Sequence, residues 1–143
     1  MDQVTKALVR QKMSFGESIN VIPGYFNIAL SKNTGAAFGA MPAWTPLIII
    51  ISFAAIYAIV KLRRARSHSR ILALALGFLI GGAMGNLIDR IMYGYVTDFL
   101  DFHVVRDSNI LSWPTFNVAD IAITIGMILL LYYVYVVEKR TEH

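Results

Sequence analysis

Three long apolar stretches dominate the chain and predict three membrane-spanning helices. They cover about 44–60, 71–92 and 118–137, each close to the roughly 20 residues that a helix needs to cross a hydrocarbon core. One such stretch could be the buried core helix of a soluble protein, but three in 143 residues favour a membrane protein. We therefore expect a mainly α-helical, polytopic membrane bundle forming one domain over residues 1–143.

Ahead of the first apolar stretch, the pattern changes to that of short strands. Ile19 and Val21-Ile22 are followed by an alternation over Phe26–Leu30, and Pro23-Gly24 between them is a turn signal. Residues 1–43 show no helical periodicity, so we expect a β-rich segment there. Its strands would form a small antiparallel sheet on the outer face of the membrane.

Composition and charge agree with a membrane protein. Hydrophobic residues make up 57% of the chain and charged residues 15%, whereas about a quarter of the residues in soluble domains are charged. The net charge of +4 gathers beside the apolar stretches, which fits the positive-inside rule better than a nucleic-acid partner. The basic segment 61–70 and the tail with Lys139-Arg140 should be cytoplasmic. Residues 93–113 and everything before residue 44 should then lie outside.

This orientation places a long N-terminal segment outside, ahead of an odd number of spans. Residues 1–43 are too long and too basic to cross the membrane unaided. We therefore expect one further span upstream of Met1, lost through truncation, engineering or a misplaced start codon.

Two aspartates are the candidates for chemistry. Asp98 follows the second span and Asp120 opens the third, and ionisable residues beside apolar spans mark functional sites. A carboxylate pair is sufficient for general acid–base hydrolysis of an amide. The chain has no cysteine, no H-E-x-x-H and no G-x-S-x-G motif, and its three histidines lie far apart in sequence. We interpret the chain as an intramembrane aspartyl peptidase that needs no metal or cofactor.

Each candidate also has a purely structural interpretation. Asp98 alone could be a surface carboxylate of an exported loop. Asn117 is a good N-cap, and Asp120 falls three residues later, so helix capping could explain both. The Asn33–Phe38 segment could be an ordinary turn, or a site that grips a peptide backbone.

The second span carries two ridges of small and polar residues at four-residue spacing. The first ridge comprises Gly77, Gly81, Gly85 and Asp89, and the second comprises Gly82, Asn86 and Arg90. Small residues let another helix approach closely. Asp89 and Arg90 could simply be the polar end of a packing helix, whereas a buried Asn86 amide would need partners.

Five motifs in register, covering nearly the whole chain, resemble those of the lipoprotein signal peptidases, the type II signal peptidases of bacterial membranes. They are Asp2-Gln3-x-x-Lys6, Asn33-Thr34-Gly35-Ala36-Ala37-Phe38, Gly81-Gly82-Ala83-x-Gly85-Asn86-x-x-Asp89-Arg90, Val96-x-Asp98-Phe99 and Phe116-Asn117-x-Ala119-Asp120. In that family the first motif closes the first transmembrane helix, whereas here it begins the chain. The resemblance thus leads to the same expectation of an upstream helix.

The resemblance implies a four-helix bundle of the bacterial inner membrane with a small extracytoplasmic sheet. It also implies cleavage of diacylglyceryl-modified prolipoproteins just before the lipidated cysteine, at the outer face of the membrane. The implied catalytic pair is Asp98 and Asp120. The residues implied to line the substrate site are Asn33, Gly35, Asn86, Arg90, Asn117 and Ala119, with Asp2, Lys6 and Asp89 in support. We expect a monomer that contacts membrane lipids and is blocked by globomycin-class inhibitors.

Two other classes of protein compete with the peptidase. One is a small non-enzymatic membrane protein, in which Asp120 only caps a helix and the glycine ridge mediates oligomers. The other is a transporter or channel subunit, but that class would place polar residues at midspan, and here they gather at the outer ends of the spans.

Overall fold

The computed structural model describes residues 1–35, 45–65, 69–106 and 109–138. Along the chain lie helix α1 (Asp2–Lys12), strands β1 (Ser18–Ile22) and β2 (Phe26–Asn33), helices α2 (Thr45–Ala65) and α3 (Arg70–Tyr93), strands β3 (Val96–Arg106) and β4 (Asn109–Ser112), and helix α4 (Val118–Tyr132), which continues as a π-helix over Tyr133–Glu138. The prediction of a mainly helical fold with a small antiparallel sheet is confirmed. Ala36-Ala37-Phe38 and the basic tail Lys139-Arg140 lie outside the described residues.

The four strands form one antiparallel sheet in the order β1-β2-β3-β4. β1 and β2 are the strands that the sequence predicts, and the turn between them contains Gly24 at φ +79°, a backbone conformation that favours glycine. β3 and β4 form a hairpin that the pattern did not reveal. The pairing of β2 with β3 places Ser31 opposite Asp98 and Asn33 opposite Val96, so the sheet carries candidate residues on two neighbouring strands.

Helix α1 shows that the prediction of no helix in the N-terminal segment was wrong. Its charged residues Asp2, Lys6 and Arg10 recur every four positions and therefore share one face of the helix. Lys6 is fully buried, whereas Val4 and Leu8 are exposed. Apolar periodicity cannot detect such a helix because its inward face is charged.

Helices α3 and α4 approach closely at glycines of α3, which have no side chain to keep the helices apart. A Cβ atom at Gly82 would lie 2.5 Å from the carbonyl oxygen of Ala119, and one at Gly85 would lie 2.5 Å from Oδ2 of Asp2. Gly77 and Gly81 have open space at the same position. The close contact therefore involves one glycine from each predicted ridge, Gly85 from the first and Gly82 from the second.

Two helices, Arg70–Tyr93 and Val118–Val136, are long and apolar enough to cross a membrane. A third apolar helical segment, Thr45–Lys61, is shorter. The count of three spans and the position of the sheet at the outer face stay predictions.

Leu72, Leu76 and Leu79, on the N-terminal half of α3, form a buried cluster that packs α3 against its neighbours.

Candidate active site

Asp98 lies buried on β3 with both carboxylate oxygens engaged by amides. Asn33, on the neighbouring strand β2, donates from Nδ2 to Oδ2 over 2.9 Å. Asn117, at the start of α4, donates from Nδ2 to Oδ1 over 2.6 Å. The backbone N–H of Gly35, at φ +81°, donates to Oδ1 of Asn33 over 2.9 Å and thereby turns the Asn33 NH2 group towards Asp98.

Burial raises the pKa of Asp98 from its ordinary value of 3.8 to about 6. The hydrogen bonds from Asn33 and Asn117 oppose this rise in pKa because they stabilise the ionised form. The neighbouring charge of Asp120 raises the pKa further, and Lys6 lowers it. A carboxyl group with this pKa can hold or release a proton near neutral pH, as general acid–base chemistry requires.

Asp120 is part of the cap of α4, whose N-cap residue is Asn117, and it also faces the site. Asn117 accepts from the Asp120 N–H at Oδ1 over 3.1 Å, and Oδ2 of Asp120 accepts from the Asn117 N–H over 3.1 Å, which completes a capping box. The predicted capping geometry is therefore confirmed. The second oxygen, Oδ1, accepts from Nδ2 of Asn86 over 2.8 Å, a contact that capping does not need.

Two buried asparagines connect the aspartates to each other. Asn117 is fully buried and contacts both carboxylates, and its Nδ2 also lies 3.1 Å from Oδ1 of Asn86. Asn86 in turn holds Asp120 and receives a hydrogen bond at Oδ1 from Nζ of Lys6 over 2.9 Å. This lysine fixes the orientation of the Asn86 amide, because its ammonium group can only donate and so selects the oxygen.

A buried ionic cluster lies behind Asn86. Nζ of Lys6 lies 2.9 Å from Oδ2 of Asp2 and 3.5 Å from Oδ2 of Asp89. Lys6 and Asp89 are both fully buried, so each charge depends on its partners for stabilisation. Asp2 also accepts from the N–H of Ala119 over 2.9 Å, which ties α1 to the first turn of α4.

Three further residues of this cluster were not predicted as site residues: Gln3, Arg10 and Thr97. Gln3 donates to Oδ1 of Asp89 over 2.9 Å, and Arg10 donates to Oγ1 of Thr97 over 2.7 Å. The Thr97 N–H donates to Oδ2 of Asp89 over 2.8 Å. The four-residue spacing of Asp2, Lys6 and Arg10 in a polar segment was the signal that could have located the cluster.

The remaining candidate residues take different positions. Arg90 is half-buried, and the carboxylates of Asp120, Asp98 and Asp89 are near enough to stabilise its charge. Ala119 is buried against Gly82 and Gly85, where its small side chain permits the close helix contact. Among the described residues, no group of three or more His, Cys, Asp or Glu side chains could hold a metal ion.

Known proteins resemble this chain in sequence over nearly its whole length. A family model described as signal peptidase (SPase) II matches residues 1–136. The lipoprotein signal peptidase of Halothermothrix orenii is 41% identical over 139 residues, which cover 97% of this chain and 90% of that protein. The lipoprotein signal peptidase of Desulforapulum autotrophicum is 43% identical over 141 residues, which cover 94% of this chain and 84% of that protein.

A solved structure described as a bacterial membrane enzyme has the same fold. It superposes with a TM-score of 0.83 at 34% sequence identity, and the match covers 94% of this chain and 85% of that one. The family resemblance carried by the five motifs is thus confirmed by sequence and by structure. With a matching family model over nearly its whole length, the chain belongs to the signal peptidase II family of membrane enzymes.

Proposed function

We propose that this chain is an aspartyl endopeptidase that removes signal peptides from diacylglyceryl-modified prolipoproteins, cutting just before the lipidated cysteine. The observation that carries the proposal is the buried Asn117, which contacts Asp98 and Asp120 together. Membership of the signal peptidase II family supports the class of substrate.

The two carboxyl groups would share one proton, because like charges in a buried site cannot easily both be ionised. The ionised aspartate would deprotonate a water molecule that attacks the scissile carbonyl carbon. The protonated aspartate would donate a hydrogen bond to the carbonyl oxygen and later protonate the leaving amine. The shared proton belongs to the pair, so the base is not assigned to either residue.

A count of charges around the site supports the shared proton. The positive side chains are Lys6, Arg10 and Arg90, and the carboxylates are Asp2, Asp89, Asp98 and Asp120. With all groups ionised the cluster carries one excess negative charge. One proton on the aspartate pair removes this excess, and a neutral total is the arrangement that burial favours.

The other candidate residues would serve binding and support. Asn33, Asn86 and Asn117 hold the carboxylates, and Arg90 would attract the carbonyl oxygens of the substrate. Gly35 orients Asn33, and Ala119 fixes the start of α4 through its hydrogen bond to Asp2. Asp2, Lys6 and Asp89 support Asn86 from behind. None of these steps needs a metal or another cofactor.

The proposed setting is the bacterial cytoplasmic membrane, with several spans and the site at the extracytoplasmic face. The substrate would keep its acyl chains in the bilayer while its peptide enters the site from the side. The enzyme would act as a monomer among membrane lipids, without a nucleic-acid partner. Globomycin-class inhibitors would occupy the same site.

The test is cleavage of a diacylglyceryl-modified prolipoprotein peptide by membranes that carry the chain. Asp98→Asn and Asp120→Asn should each remove nearly all turnover while the protein still inserts and unfolds cooperatively. Asp101→Asn is the matched control, because Asp101 lies on the same strand but contacts Asn27 instead of the site. Turnover that survives both site substitutions would overturn the aspartyl mechanism, whereas a wild-type chain that inserts correctly and cleaves nothing would favour the non-enzymatic alternative.

A further inference from the structure

Thr97, the residue before Asp98 on β3, is held by side chains from three different helices. Its hydroxyl oxygen accepts from Nη1 of Arg10, at the end of α1, over 2.7 Å. Its N–H donates to Oδ2 of Asp89 on α3 over 2.8 Å, and its carbonyl oxygen accepts from Nδ2 of Asn117 at the start of α4 over 3.3 Å. Thr97 is fully buried, where a hydrogen bond is stronger than in water. The backbone just ahead of Asp98 is therefore fixed from several directions.

The guanidinium group of Arg10 has a fixed orientation. It lies over the ring of Tyr93, 4.5 Å from the ring centroid, and the side chain is only 16% exposed. Its Nη1 atom also lies 3.4 Å from Oδ1 of Asp89. A planar guanidinium that contacts both a ring face and a carboxylate keeps its N–H bonds in fixed directions, and one of these bonds points at Thr97.

Arg10 is placed to hold Thr97 rather than to neutralise Asp89. Its contact with the hydroxyl group is 2.7 Å long, whereas its contact with the carboxylate is 3.4 Å long. The Asp89 carboxylate already lies 3.5 Å from Nζ of Lys6 and accepts from Gln3 over 2.9 Å. A strong hydrogen bond between a cation and a carboxylate is about 2.7–2.9 Å long, so the carboxylate contact of Arg10 is a weak one. The strong contact is the bond to Thr97.

The strand ladder alone does not fix β3 at Asp98. The pairing of β2 with β3 is irregular between Ile28 and Ser31, and Ser31 lies opposite Asp98. Such an irregularity disrupts the ladder hydrogen bonds locally. Successive side chains on a strand point to opposite faces, so holding Thr97 on one face sets the direction of Asp98 on the other. A rotation of the strand here would lengthen the 2.6 Å hydrogen bond between Asn117 and Asp98.

We propose that Arg10 is a positioning residue for the active site, acting through the Thr97 hydroxyl group to fix the direction of the Asp98 carboxylate. The inference rests on the proposed function, since it assumes that Asp98 takes part in the chemistry. Neither Arg10 nor Thr97 is a specified position of the five motifs: the first follows Asp2-Gln3-x-x-Lys6, and the second is the open position before Asp98. Misplacing a catalytic group raises the barrier of the chemical step, so loss of the contact should lower kcat and leave KM nearly unchanged.

The test is a double-mutant cycle on the turnover of a diacylglyceryl-modified prolipoprotein peptide by the full chain in lipid nanodiscs. Arg10→Met and Thr97→Val should each lower kcat by about tenfold, since a small misplacement of a reacting group costs up to about a hundredfold. The double variant should also lose only about tenfold, because both substitutions remove the same hydrogen bond. Thr97→Ser keeps the hydroxyl group and should retain most of the wild-type turnover. Lys12→Met is the matched control, because it removes an exposed cation from the same turn of α1.

The pH profile separates positioning from a general loss of stability. Thr97→Val changes no charge. The charged side chains that act on Asp98 are the same in this variant as in the wild type: Asp120, Lys6 and Arg90. A misaligned Asp98 loses part of its hydrogen bond from Asn117, which stabilises the ionised form, so its pKa should rise beyond about 6. The descending limb of the kcat/KM profile should therefore move to higher pH in Thr97→Val but not in Thr97→Ser.

Two results would overturn the inference. Equal kcat values for Thr97→Val and Thr97→Ser would show that the hydroxyl group has no such role, and this pair decides the question even where Arg10→Met fails to insert. Losses that multiply in the double variant would show that Arg10 and Thr97 act separately. A wild-type chain that inserts but cleaves no lipidated peptide would instead count against the proposed function, and the inference would fall with it.

Discussion

Asn117 donates a hydrogen bond of 2.6 Å to Asp98 from the same side chain that caps helix α4. Its amide NH2 faces Asp98 because its oxygen is engaged by the N–H of Asp120. The cap therefore sets the direction in which the amide points. Helix capping and assembly of the proposed active site are thus two consequences of one side-chain orientation.

Replacing Asn117 by serine separates these two roles. Serine is a good N-cap and alanine is not, so Asn117→Ser in detergent should unfold at a higher temperature than Asn117→Ala, which also loses the cap. Serine cannot supply the amide hydrogen bond to Asp98, and a hydrogen bond to a charged group is worth about 1.5–3 kcal/mol. We expect turnover to fall by roughly ten- to a hundredfold. Unchanged turnover would reduce Asn117 to a helix cap.

The raised pKa of Asp98 predicts the pH dependence of turnover. Catalysis needs one proton on the pair, and burial raises the pKa of Asp98 to about 6, so kcat/KM should fall as the pH rises through about that value. Asn33→Ala removes a donor that stabilises the ionised form, which raises the pKa of Asp98 further. The descending limb of the pH–rate profile should therefore move to higher pH. A limb that stays in place or moves to lower pH would contradict this assignment.

The same pKa shift predicts how stability depends on pH. Between pH 3.8 and about 6 the unfolded chain has released the Asp98 proton, whereas the folded chain still holds it. The contribution of Asp98 to the free energy of unfolding should fall across this window and stay constant above it. Denaturant titrations of wild type and Asp98→Asn over this range measure the contribution. A difference between the two proteins that does not vary with pH would disprove it.

Lys6 should be essential for stability because it is the buried cation between Asp2 and Asp89. Lys6→Met leaves both carboxylates without their shared partner, and breaking a buried ion pair costs roughly 3–5 kcal/mol. Lys12→Met is the matched control, since Lys12 is exposed at the end of the same helix. Chemical unfolding in detergent micelles should show a large loss for Lys6→Met alone. Similar stabilities of the two variants would argue against a buried ionic cluster.

The glycines of α3 provide a test of the helix contact. A Cβ at Gly82 would collide with the carbonyl oxygen of Ala119, so Gly82→Ala should lower stability by about 1–3 kcal/mol and displace the start of α4. Gly81→Ala, one position earlier, meets nothing within 4 Å and should be neutral or slightly stabilising. Thermal unfolding and turnover should both separate the two variants. Loss of turnover in Gly81→Ala instead would contradict the observed packing.

Much of the fold followed from local patterns. The apolar stretches predicted the long helices, and the alternation around Phe26–Leu30 predicted the first two strands. Asn117 followed by Asp120 three residues later predicted the capping box. These features depend on neighbours within a few residues, so the order of side chains along the chain was sufficient to recognise them.

The membrane-protein composition, the start of α4 near its cap and the motifs of the family could all be read from the order of residues. The charged inward face of α1, and the place of Arg10 and Thr97 in the cluster behind the site, became visible only in the folded chain. The folded chain also shows which glycines touch α4. The reason is physical: a buried charge is stable only beside partners contributed by other elements, and those partners lie about 80 residues away in sequence, as Asn86 does from Lys6.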